Sequence, residues 1–368
     1  MSDPVSTVAA MSMGVVTSWA DRADRAYRVL IGRFWDGRRR LFRPSDRRRV
    51  LAAQWHYWWQ AHALDACVDA VARTGSAEAC RRVSDLVAGV QRRNGGRIEN
   101  DYYDDMAWMG LALLRAEQLG LADAAGLVRR LWVAIRAGWD PRHGGIVWRR
   151  GDTYTNTPAN APAAILAARL HRYGGSDEDL TWARRIVDWL HETLVDAQTG
   201  IVWDGVHPET GERPSPELYT YNQGTVVGAD VELFRCTGDG GHLRRAERTA
   251  TAALTRLAEP VTGLLPAEGD GDGGLFKGIL ARYLGDLVTT APPGSADSAS
   301  RRVLATLRRN GVAVAQAAPG GTVGPDWARP EAGSGSLSTH LSAVLLLESL
   351  ARVDTLLPEE ISLPPPTD

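Results

Sequence analysis

Residues 102–119, YYDDMAWMGLALLRAEQL, have the pattern that decides the fold. Their small, aromatic and aliphatic side chains leave a helix that is apolar on most sides, and such a helix has to be buried. The next stretch, residues 122–137, has the same helical periodicity, but one of its faces is rich in arginine. An amphipathic helix of this kind covers a buried one. Together the two stretches predict a helical hairpin with one inner and one outer helix.

The same pairing repeats along the chain, whereas the alternation typical of β-strands is scarce. Inner helices start roughly 50 to 65 residues apart, a period long enough for one helix–loop–helix unit. Six inner helices sheathed by six outer ones predict an all-α fold, an (α/α)6 barrel, as a single domain over 1–357. Residues 358–368 have the composition of a disordered tail. The predicted helices are 16–33, 47–73, 77–92, 102–119, 122–137, 157–171, 177–194, 219–235, 241–258, 275–288, 297–310 and 338–356.

Two prolines, Pro158 and Pro162, fall near the start of one predicted inner helix. Proline is tolerated in the first turn of a helix but not further inside, because it lacks the N–H donor and crowds the preceding turn. We therefore expect this helix to begin later than residue 157.

The charge balance of the chain argues against a polyanionic partner. It has 42 basic and 44 acidic residues, a formal net charge of -2 and an isoelectric point near 6.5. This balance offers no electrostatic attraction to nucleic acid or to an anionic membrane. No apolar run approaches the roughly 18 residues that a membrane-spanning helix needs.

The cysteines and the N-terminus bear on the compartment. Three scattered cysteines do not make a disulfide framework. The N-terminal residues lack the basic stretch and apolar stretch of a secretory signal. We therefore expect a cytoplasmic protein, or a secreted one only if its signal has been lost. The abundance of arginine, alanine and glycine suggests a bacterial origin.

Asp104 and Asp105 are adjacent carboxylates at the start of a predicted inner helix, among Tyr102, Tyr103 and Trp108. Like charges repel, and a low dielectric around them raises the pKa of at least one carboxyl. Two carboxyls with different pKa values can act as an acid and a base, or as an acid and a nucleophile. Aspartate in a first turn also favours the helix dipole, so the pair alone leaves a structural role open.

Five polar segments lie where the chain enters the inner helices, and a barrel brings these entries to one end. Each segment combines glycine, tryptophan or tyrosine, and an amide or carboxylate. Asn156 and Asn222 are also good N-cap residues, so capping is the alternative for any single segment. Five such segments at equivalent positions favour a polar cleft. They are 101–108, 144–160, 200–205 with 219–224, 269–285 and 323–340.

Three motifs in chain order together resemble glycoside hydrolase family 76, which includes α-1,6-mannanases. They are YDDMAW at 103–108, YTYNQG at 219–224 and FKGILARYL at 276–284. The resemblance extends from about residue 35 to residue 350. It implies an (α/α)6 barrel that hydrolyses α-1,6-mannosidic linkages in mannan-type oligosaccharides or glycolipids. A mannose-containing glycan is the partner that it implies.

The resemblance also implies catalytic roles, with Asp104 as the nucleophile and Asp105 as the general acid/base of a retaining double displacement. The geometry is compatible with these roles. Neighbouring Cα atoms lie about 3.8 Å apart, and diverging carboxyls can reach the roughly 5 to 5.5 Å of retaining enzymes. The residues themselves do not say which carboxyl has which role.

Side chains near the pair are predicted to bind the sugar. Amides offer donors and acceptors to vicinal hydroxyls, and aromatic rings stack on sugar faces. Lys277 is the one lysine among 42 basic residues, which suggests a need for a compact ammonium, although chance is the alternative. Arg282 need not share its site. The predicted substrate-binding residues are Tyr103, Trp108, Trp148, Asn156, Asn160, Trp203, Asp204, Tyr221, Asn222, Gln223, Lys277 and Arg282.

No metal site and no cofactor are predicted. The eight histidines are isolated. The acidic loop 268–274 lacks the ligand spacing of an EF-hand, so we expect a flexible loop beside the substrate. We also expect a monomer.

Other functions remain open. One is a transglycosylase, or a sugar epimerase or isomerase, on the same barrel, with His340 and His56 as candidates. The other is a non-catalytic glycan-binding protein, against which the intact aspartate pair counts.

Overall fold

The computed structural model describes residues 17–47, 55–214, 217–290, 298–316, 320–329 and 335–357. The expected tail at 358–368 lies outside these residues. Nearly all regular secondary structure in the described chain is helix. Its helices are α1 Trp19–Phe34, α2 Tyr57–Thr74, α3 Ala77–Arg93, α4 Tyr103–Gln118, α5 Ala125–Arg136, α6 Thr157–Arg172, α7 Asp177–Thr193, α8 Thr220–Thr237, α9 Gly240–Leu257, α10 Gly273–Thr290, α11 Ser298–Ala315 and α12 Leu337–Leu356.

The even-numbered helices form the inner ring. Each of them packs on its two even-numbered neighbours, and α12 packs on α2, which closes the ring. The odd-numbered helices cover this ring from outside, each packed on one or two inner helices. Most positions of the inner helices are buried all round, as apolar helices require. The predicted (α/α)6 barrel is confirmed.

Close approach of the inner helices explains why their sequences are rich in small residues. A Cβ atom at Gly278 of α10 would lie 2.4 Å from the Cα of Ser342 in α12. A Cβ at Gly224 of α8 would lie 2.6 Å from the Cα of Leu280 in α10. Side-chain carbons do not come this close to backbone, so glycine at these positions allows the helices to pack.

Two helix starts differ from the sequence-based expectation. α2 begins at Tyr57 rather than near residue 47, and the residue before it, His56, is extended. α6 begins at Thr157, so the expected later start is wrong. Pro158 occupies its first turn, where no N–H donor is needed. Pro162 lies inside the helix, which is held between α4 and α8 despite the missing hydrogen bond.

Short strands connect the loops at one end of the barrel. β1 (Trp35–Asp36) pairs with β2 (Leu41–Phe42), and β3 (Thr155–Asn156) pairs with β4 (Gly205–Val206), both antiparallel. In the second pair Asn156 lies opposite Gly205. This register brings the loop before α6 against the loop before α8.

Candidate active site

A cleft of about 980 Å³ opens at the N-terminal ends of the inner helices. Its walls are the first turns of α2, α4, α6, α8 and α10 and the loops before them. Among the described residues, no lysine or arginine lines it, and the partial positive charges of the helix N-termini face its acidic groups. These acidic residues are Asp101, Asp104, Asp105, Asp204, Glu268 and Asp272.

Asp104 lies in the first turn of α4 and has two N–H donors. The indole Nε1 of Trp148 donates to its Oδ2 at 3.1 Å, and the backbone N–H of Asp105 donates to its Oδ1 at 2.9 Å. Burial raises the pKa of Asp104 to about 6, and the two hydrogen bonds oppose that rise. The negative charge of Asp204 adds a smaller upward shift.

Fewer hydrogen bonds stabilise a negative charge on Asp105 than on Asp104. Its Oδ2 accepts a hydrogen bond from Nδ2 of Asn100 at 2.5 Å. Burial raises its pKa well above the ordinary value, and the charges of Asp104 and Asp272 raise it further. Because Asp104 has the more favourable donors, the proton of the pair resides on Asp105. The two carboxyls therefore differ in protonation, as an acid and a nucleophile must.

Asp204 is held in the cleft by two side chains. The hydroxyl of Tyr154 donates to its Oδ2 at 2.7 Å, and Nδ2 of Asn222 donates to its Oδ1 at 2.9 Å. The β3–β4 pairing brings the two segments together, and Gly205 leaves room for the phenol ring, because a Cβ at that position would lie 2.5 Å from the hydroxyl oxygen of Tyr154. Burial first, and then the charge of Asp204, raise the pKa of Tyr154, so its hydroxyl stays protonated and donates.

Aromatic rings form much of the remaining surface. Tyr221 stacks on Phe276, with ring centroids 4.0 Å apart and planes 12° from parallel. Trp148 meets Tyr102 edge-on at 5.3 Å. Trp108 also lines the cleft. Flat apolar rings beside carboxylates suit the mixed apolar and hydroxylated faces of a sugar.

The structure brings about half of the predicted site residues onto the cleft surface. The predicted residues that line it are Asp104, Asp105, Trp108, Trp148, Asn156, Asp204 and Tyr221. Those that do not line it are Tyr103, Asn160, Trp203, Asn222, Gln223, Lys277 and Arg282.

Three polar residues at the fourth position of inner helices bind loop backbone rather than face the cleft. The side-chain amide of Asn160 accepts from the N–H of Ile146 and donates to its carbonyl, both at 2.8 Å. Gln223 does the same with Val202, at 2.9 and 2.8 Å. Gln60 in α2 repeats the arrangement with the backbone of Phe42. The amides therefore anchor the loops that build the cleft.

His340 has the same position in α12, and its side chain also interacts with backbone groups. Its Nδ1 accepts from the N–H of Val323 at 3.2 Å, and its Nε2 lies 3.0 Å from the carbonyl of Ala26. Both ring nitrogens are thus engaged away from the cleft, which removes His340 as an epimerase candidate.

Lys277 and Arg282 lie outside the cleft for different reasons. Lys277 is buried, donates to the carbonyl of Pro325 and lies 4.1 Å from the ring centre of Trp327. Burial lowers its pKa to about 7. Arg282 follows the start of α10 by nine residues, roughly 13 Å along the axis, and pairs with Asp69 at the other end of the barrel.

Tyr103, Trp203 and Asn222 also lie away from the cleft surface. A Cβ at Gly138 would lie 2.7 Å from the ring of Tyr103, so that ring packs on the loop after α5. Trp203 lines a separate outer groove beside α9. Asn222 is fully buried and orients Asp204.

Several cleft residues were missed by the sequence reasoning. Asp272 and Glu268 belong to the acidic loop that was expected to be flexible, but both are anchored: Asp272 by the indoles of α2, and Glu268 by the N–H of Thr220 at 2.9 Å. Tyr154 has no local signal, since its partner Asp204 is fifty residues away.

Among the described residues, no three histidine, cysteine or acidic side chains are grouped to hold a metal ion. None of the described helices has the length and low polarity that crossing a membrane requires. A helical barrel with paired carboxyls of unequal pKa in an aromatic cleft defines a carbohydrate-active enzyme without a built metal centre in the described chain.

The comparison with known families agrees with this class. Residues 18–355 match glycosyl hydrolase family 76, and the chain belongs to this family. It is similar to the α-1,6-mannanase from Salegentibacter sp. HEL1_6, with 34% sequence identity and a TM-score of 0.85, over 91% of this chain and 100% of that one. An inactive variant of the mannanase, with two consecutive aspartates changed to asparagine, is known in complex with α-1,6-mannotriose.

Curated relatives include two yeast proteins named mannan endo-1,6-alpha-mannosidase. The one from Candida glabrata is 25% identical over 300 residues, and the one from Saccharomyces cerevisiae is 24% identical. In both cases the match covers 73% of this chain and 65% of the relative. The chain thus spans slightly less than two thirds of the length of these relatives.

Proposed function

We propose that the protein hydrolyses α-1,6-mannosidic linkages in mannan-type oligosaccharides or glycolipids. The observation that carries the proposal is the position of Asp104 and Asp105 side by side in the cleft, where Asp104 accepts two N–H donors and Asp105 accepts one. The Salegentibacter enzyme to which the chain is similar is an α-1,6-mannanase, and its inactive form lacks two adjacent aspartates. Both facts support the same substrate class.

The arrangement supports a retaining double displacement. In the first step the carboxylate of Asp104 attacks the anomeric carbon, while Asp105 gives its proton to the glycosidic oxygen and the carbon–oxygen bond breaks. The product is a mannosyl ester of Asp104 and a released alcohol. In the second step Asp105, now ionised, takes a proton from water, whose oxygen displaces Asp104 from the anomeric carbon.

Neighbouring groups fit this chemistry. The Trp148 indole and the backbone N–H of Asp105 stabilise the ionised nucleophile. Asp204, oriented by Tyr154 and Asn222, is placed to accept hydrogen bonds from sugar hydroxyls. No arginine or lysine among the described residues lines the cleft, so the substrate there is not expected to be anionic.

The proposal is tested by incubating α-1,6-mannotriose and α-1,6-mannotetraose with the wild type, Asp104→Asn and Asp105→Asn. Loss of either group is expected to lower kcat/KM by about 10²- to 10⁴-fold or more. Asp123→Asn is the matched control, because Asp123 is an exposed aspartate in the loop after α4. Unchanged hydrolysis by either active-site variant would overturn the assignment.

A second measurement separates the two roles. A mannoside with an activated aryl leaving group needs no proton from Asp105, so Asp105→Asn should still release the aryl alcohol in a first burst. Asp104→Asn should not. Proton NMR of the first sugar formed should show the α anomer, since double displacement retains configuration. A first-formed β anomer would rule out this mechanism.

Cytoplasmic location, bacterial origin and a monomeric state stay predictions of the sequence. If the location is right, imported mannooligosaccharides or an endogenous mannose-containing glycolipid are the natural substrates. Product analysis with an added acceptor mannoside distinguishes hydrolysis from transglycosylation.

A further inference from the structure

Asp272 immediately precedes α10, in the position where an aspartate ordinarily caps a helix. A capping carboxylate accepts hydrogen bonds from backbone N–H groups of the first turn. Among the described residues, no backbone N–H donates to the carboxylate of Asp272. Its Oδ1 instead accepts from the indole Nε1 of Trp58 at 3.1 Å and of Trp59 at 2.9 Å. The side chain is therefore turned away from its own helix and toward α2.

The two indoles fix the carboxylate on the cleft wall. Trp59 is buried and stacks on His56, with ring centroids 4.0 Å apart. Trp58 lines the cleft and meets His62 edge-on at 5.6 Å. Both donors are thus held by packing, and a preorganised acceptor loses little freedom when a ligand binds.

The other carboxylate oxygen is open. The side chain of Asp272 is 58% exposed, and it faces the same cleft as Asp104 and Asp105. Within the described part of the chain, its Oδ2 has no hydrogen-bond partner, and the one basic group near the carboxylate is His56, whose Nδ1 is 4.0 Å from Oδ1. Burial lowers the pKa of His56, so it is neutral at pH 7 and leaves the charge of Asp272 unpaired.

An ionised carboxylate offers acceptors only. The complementary ligand group is therefore a hydrogen-bond donor and not an acid, and on a mannosyl unit the donors are hydroxyls. We propose that Asp272 is a specificity-determining residue that accepts hydrogen bonds from the hydroxyls of a mannosyl unit bound beside Asp105. This inference rests on the proposed function and names a contact for it. The charge of Asp272 also favours the protonated form of Asp105, which supports the proximity of the two groups.

If the role of Asp272 is purely structural, it only links α10 to α2 through the hydrogen bonds from the two indoles. Asp272→Asn separates the two possibilities. An asparagine can keep the indole hydrogen bonds through its amide oxygen, but it replaces the free oxygen with an NH₂ donor and removes the charge. The fold should therefore survive while the sugar contact is lost.

The test measures binding of α-1,6-mannotriose by calorimetry in an Asp104→Asn/Asp105→Asn background, with and without Asp272→Asn. We expect at least about tenfold weaker binding, because a hydrogen bond to a charged group is lost. Asp270→Asn is the matched control: it lies two residues away, is exposed, and its side chain has no partner among the described residues. It should bind within about twofold of the background.

A second experiment identifies the hydroxyl. Deoxymannoside analogues that each lack one hydroxyl are compared in the parent and Asp272→Asn proteins. The analogue that lacks the contacted hydroxyl should bind weakly to the parent, but Asp272→Asn should show no further penalty for it. Thermal unfolding of both proteins checks that the substitution leaves the fold intact.

The outcomes are distinct. Mannotriose binding by the parent that Asp272→Asn does not weaken would overturn this inference and leave the proposed function standing. If the parent does not bind mannotriose and the wild type does not hydrolyse it, the proposed function fails, and this inference with it. If Asp272→Asn weakens mannotriose binding and also lowers the unfolding temperature, the effect is assigned to the lost link between α10 and α2, and this inference fails.

Discussion

The open end of the barrel is the one with the cleft, where the inner helices begin; the closed end is the opposite one. At the open end Asp104 and Asp105 have no basic residue within ion-pair distance, as far as the described chain extends. At the closed end Asp69, Glu232 and Asp286 each pair with two or more arginines. The carboxyls are partly buried at the open end and fully buried at the closed end. The arginines of the closed end are Arg115, Arg169, Arg172, Arg235, Arg282 and Arg352.

This difference has opposite effects on the pKa of the carboxyls. Burial by itself raises the pKa of a carboxyl at either end. At the closed end the arginines more than offset it, so the pKa values of Asp69, Glu232 and Asp286 lie below the ordinary range. Glu348 is the exception, because burial there outweighs its partner Arg73 and its pKa is raised.

The comparison separates two uses of buried charge in one fold. Arginines lie at the C-terminal ends of the inner helices, where cations also favour the helix dipoles, and their partners contribute to folding. Asp104 and Asp105 lie at the N-terminal end of α4 with no basic partner among the described residues, and there burial raises their pKa values. A carboxyl paired with arginine cannot serve as a general acid near neutral pH, so it matters for the chemistry that no arginine of the described chain lines the cleft.

Breaking the closed end is expected to have the largest effect on stability. Arg282→Met leaves Asp69 and Asp65 with less compensation in a buried site, so the free energy of unfolding should fall by about 3–5 kcal/mol. Urea unfolding at pH 7 measures it. Arg28→Met is the control, since Arg28 forms an exposed pair on α1 worth less than about 1 kcal/mol. Equal losses in both variants would contradict the distinction between the two kinds of pair.

Replacing Asp104 at the open end by a neutral residue should raise the free energy of unfolding rather than lower it. The folded-state pKa of Asp104 is about 6 against an ordinary value of 3.8, so the folded protein holds a proton that the unfolded chain releases. Because of this difference, the free energy of unfolding falls as pH rises from about 4 to about 6. Asp104→Asn removes that cost and should stabilise the protein at pH 7 by up to about 3 kcal/mol.

The control for this prediction is Asp69→Asn at the closed end. The pKa of Asp69 is depressed, so its contribution is present above the unfolded-state pKa and is lost as pH falls. Asp69→Asn should therefore destabilise the protein at pH 7. The idea fails if Asp104→Asn is less stable than the wild type at pH 7, or if its stability keeps the wild-type slope between pH 4 and pH 6.

A smaller effect is expected for the amides that anchor the cleft loops. Gln223→Met keeps the length of the side chain but leaves the N–H and carbonyl of Val202 without their partner, which should cost about 1–3 kcal/mol. Gln118→Met, at the exposed end of α4, is the control. Wild-type stability of Gln223→Met together with weaker mannotriose binding would show instead that Gln223 contacts the sugar.

These amides show where sequence reasoning reaches its limit. Asn160 and Gln223 were predicted to bind sugar because an amide offers a donor and an acceptor. A peptide group has the same complement, and the chemistry alone cannot distinguish a loop backbone from a sugar. The fourth-position repeat in Gln60, Asn160 and Gln223 is visible in the sequence only once the helix starts are known, and the start of α2 was placed ten residues too early.

The barrel itself was predictable because its signal is local and repeated. Alternation of all-round apolar helices with amphipathic ones needs no knowledge of distant contacts, and neither does the adjacency of Asp104 and Asp105. The rest of the site depends on pairings across the chain. Asp272 meets Trp58 and Trp59 more than two hundred residues away, and Tyr154 reaches Asp204 through the β3–β4 register.

The smallest expected effect concerns the pKa of Asp104, and it tests whether an uncharged hydrogen-bond donor lowers that pKa. The Trp148 indole donates to Asp104 and lowers its pKa. Trp148→Phe keeps an aromatic ring but removes the donor, so the pKa of Asp104 should rise. Since Asp104 has to be ionised to attack, the acidic limb of the kcat/KM profile should move to higher pH, by up to about one unit.

Trp203→Phe is the matched control for that shift. Trp203 is the tryptophan just before Asp204, but its indole N–H is buried without a hydrogen-bond partner among the described residues and does not reach the catalytic pair. Its pH profile should match that of the wild type. An acidic limb that stays in place in Trp148→Phe would mean that burial and the backbone N–H of Asp105 alone determine the ionisation of Asp104. The contrast between the two ends would then rest on the absence of arginine rather than on the indole donor.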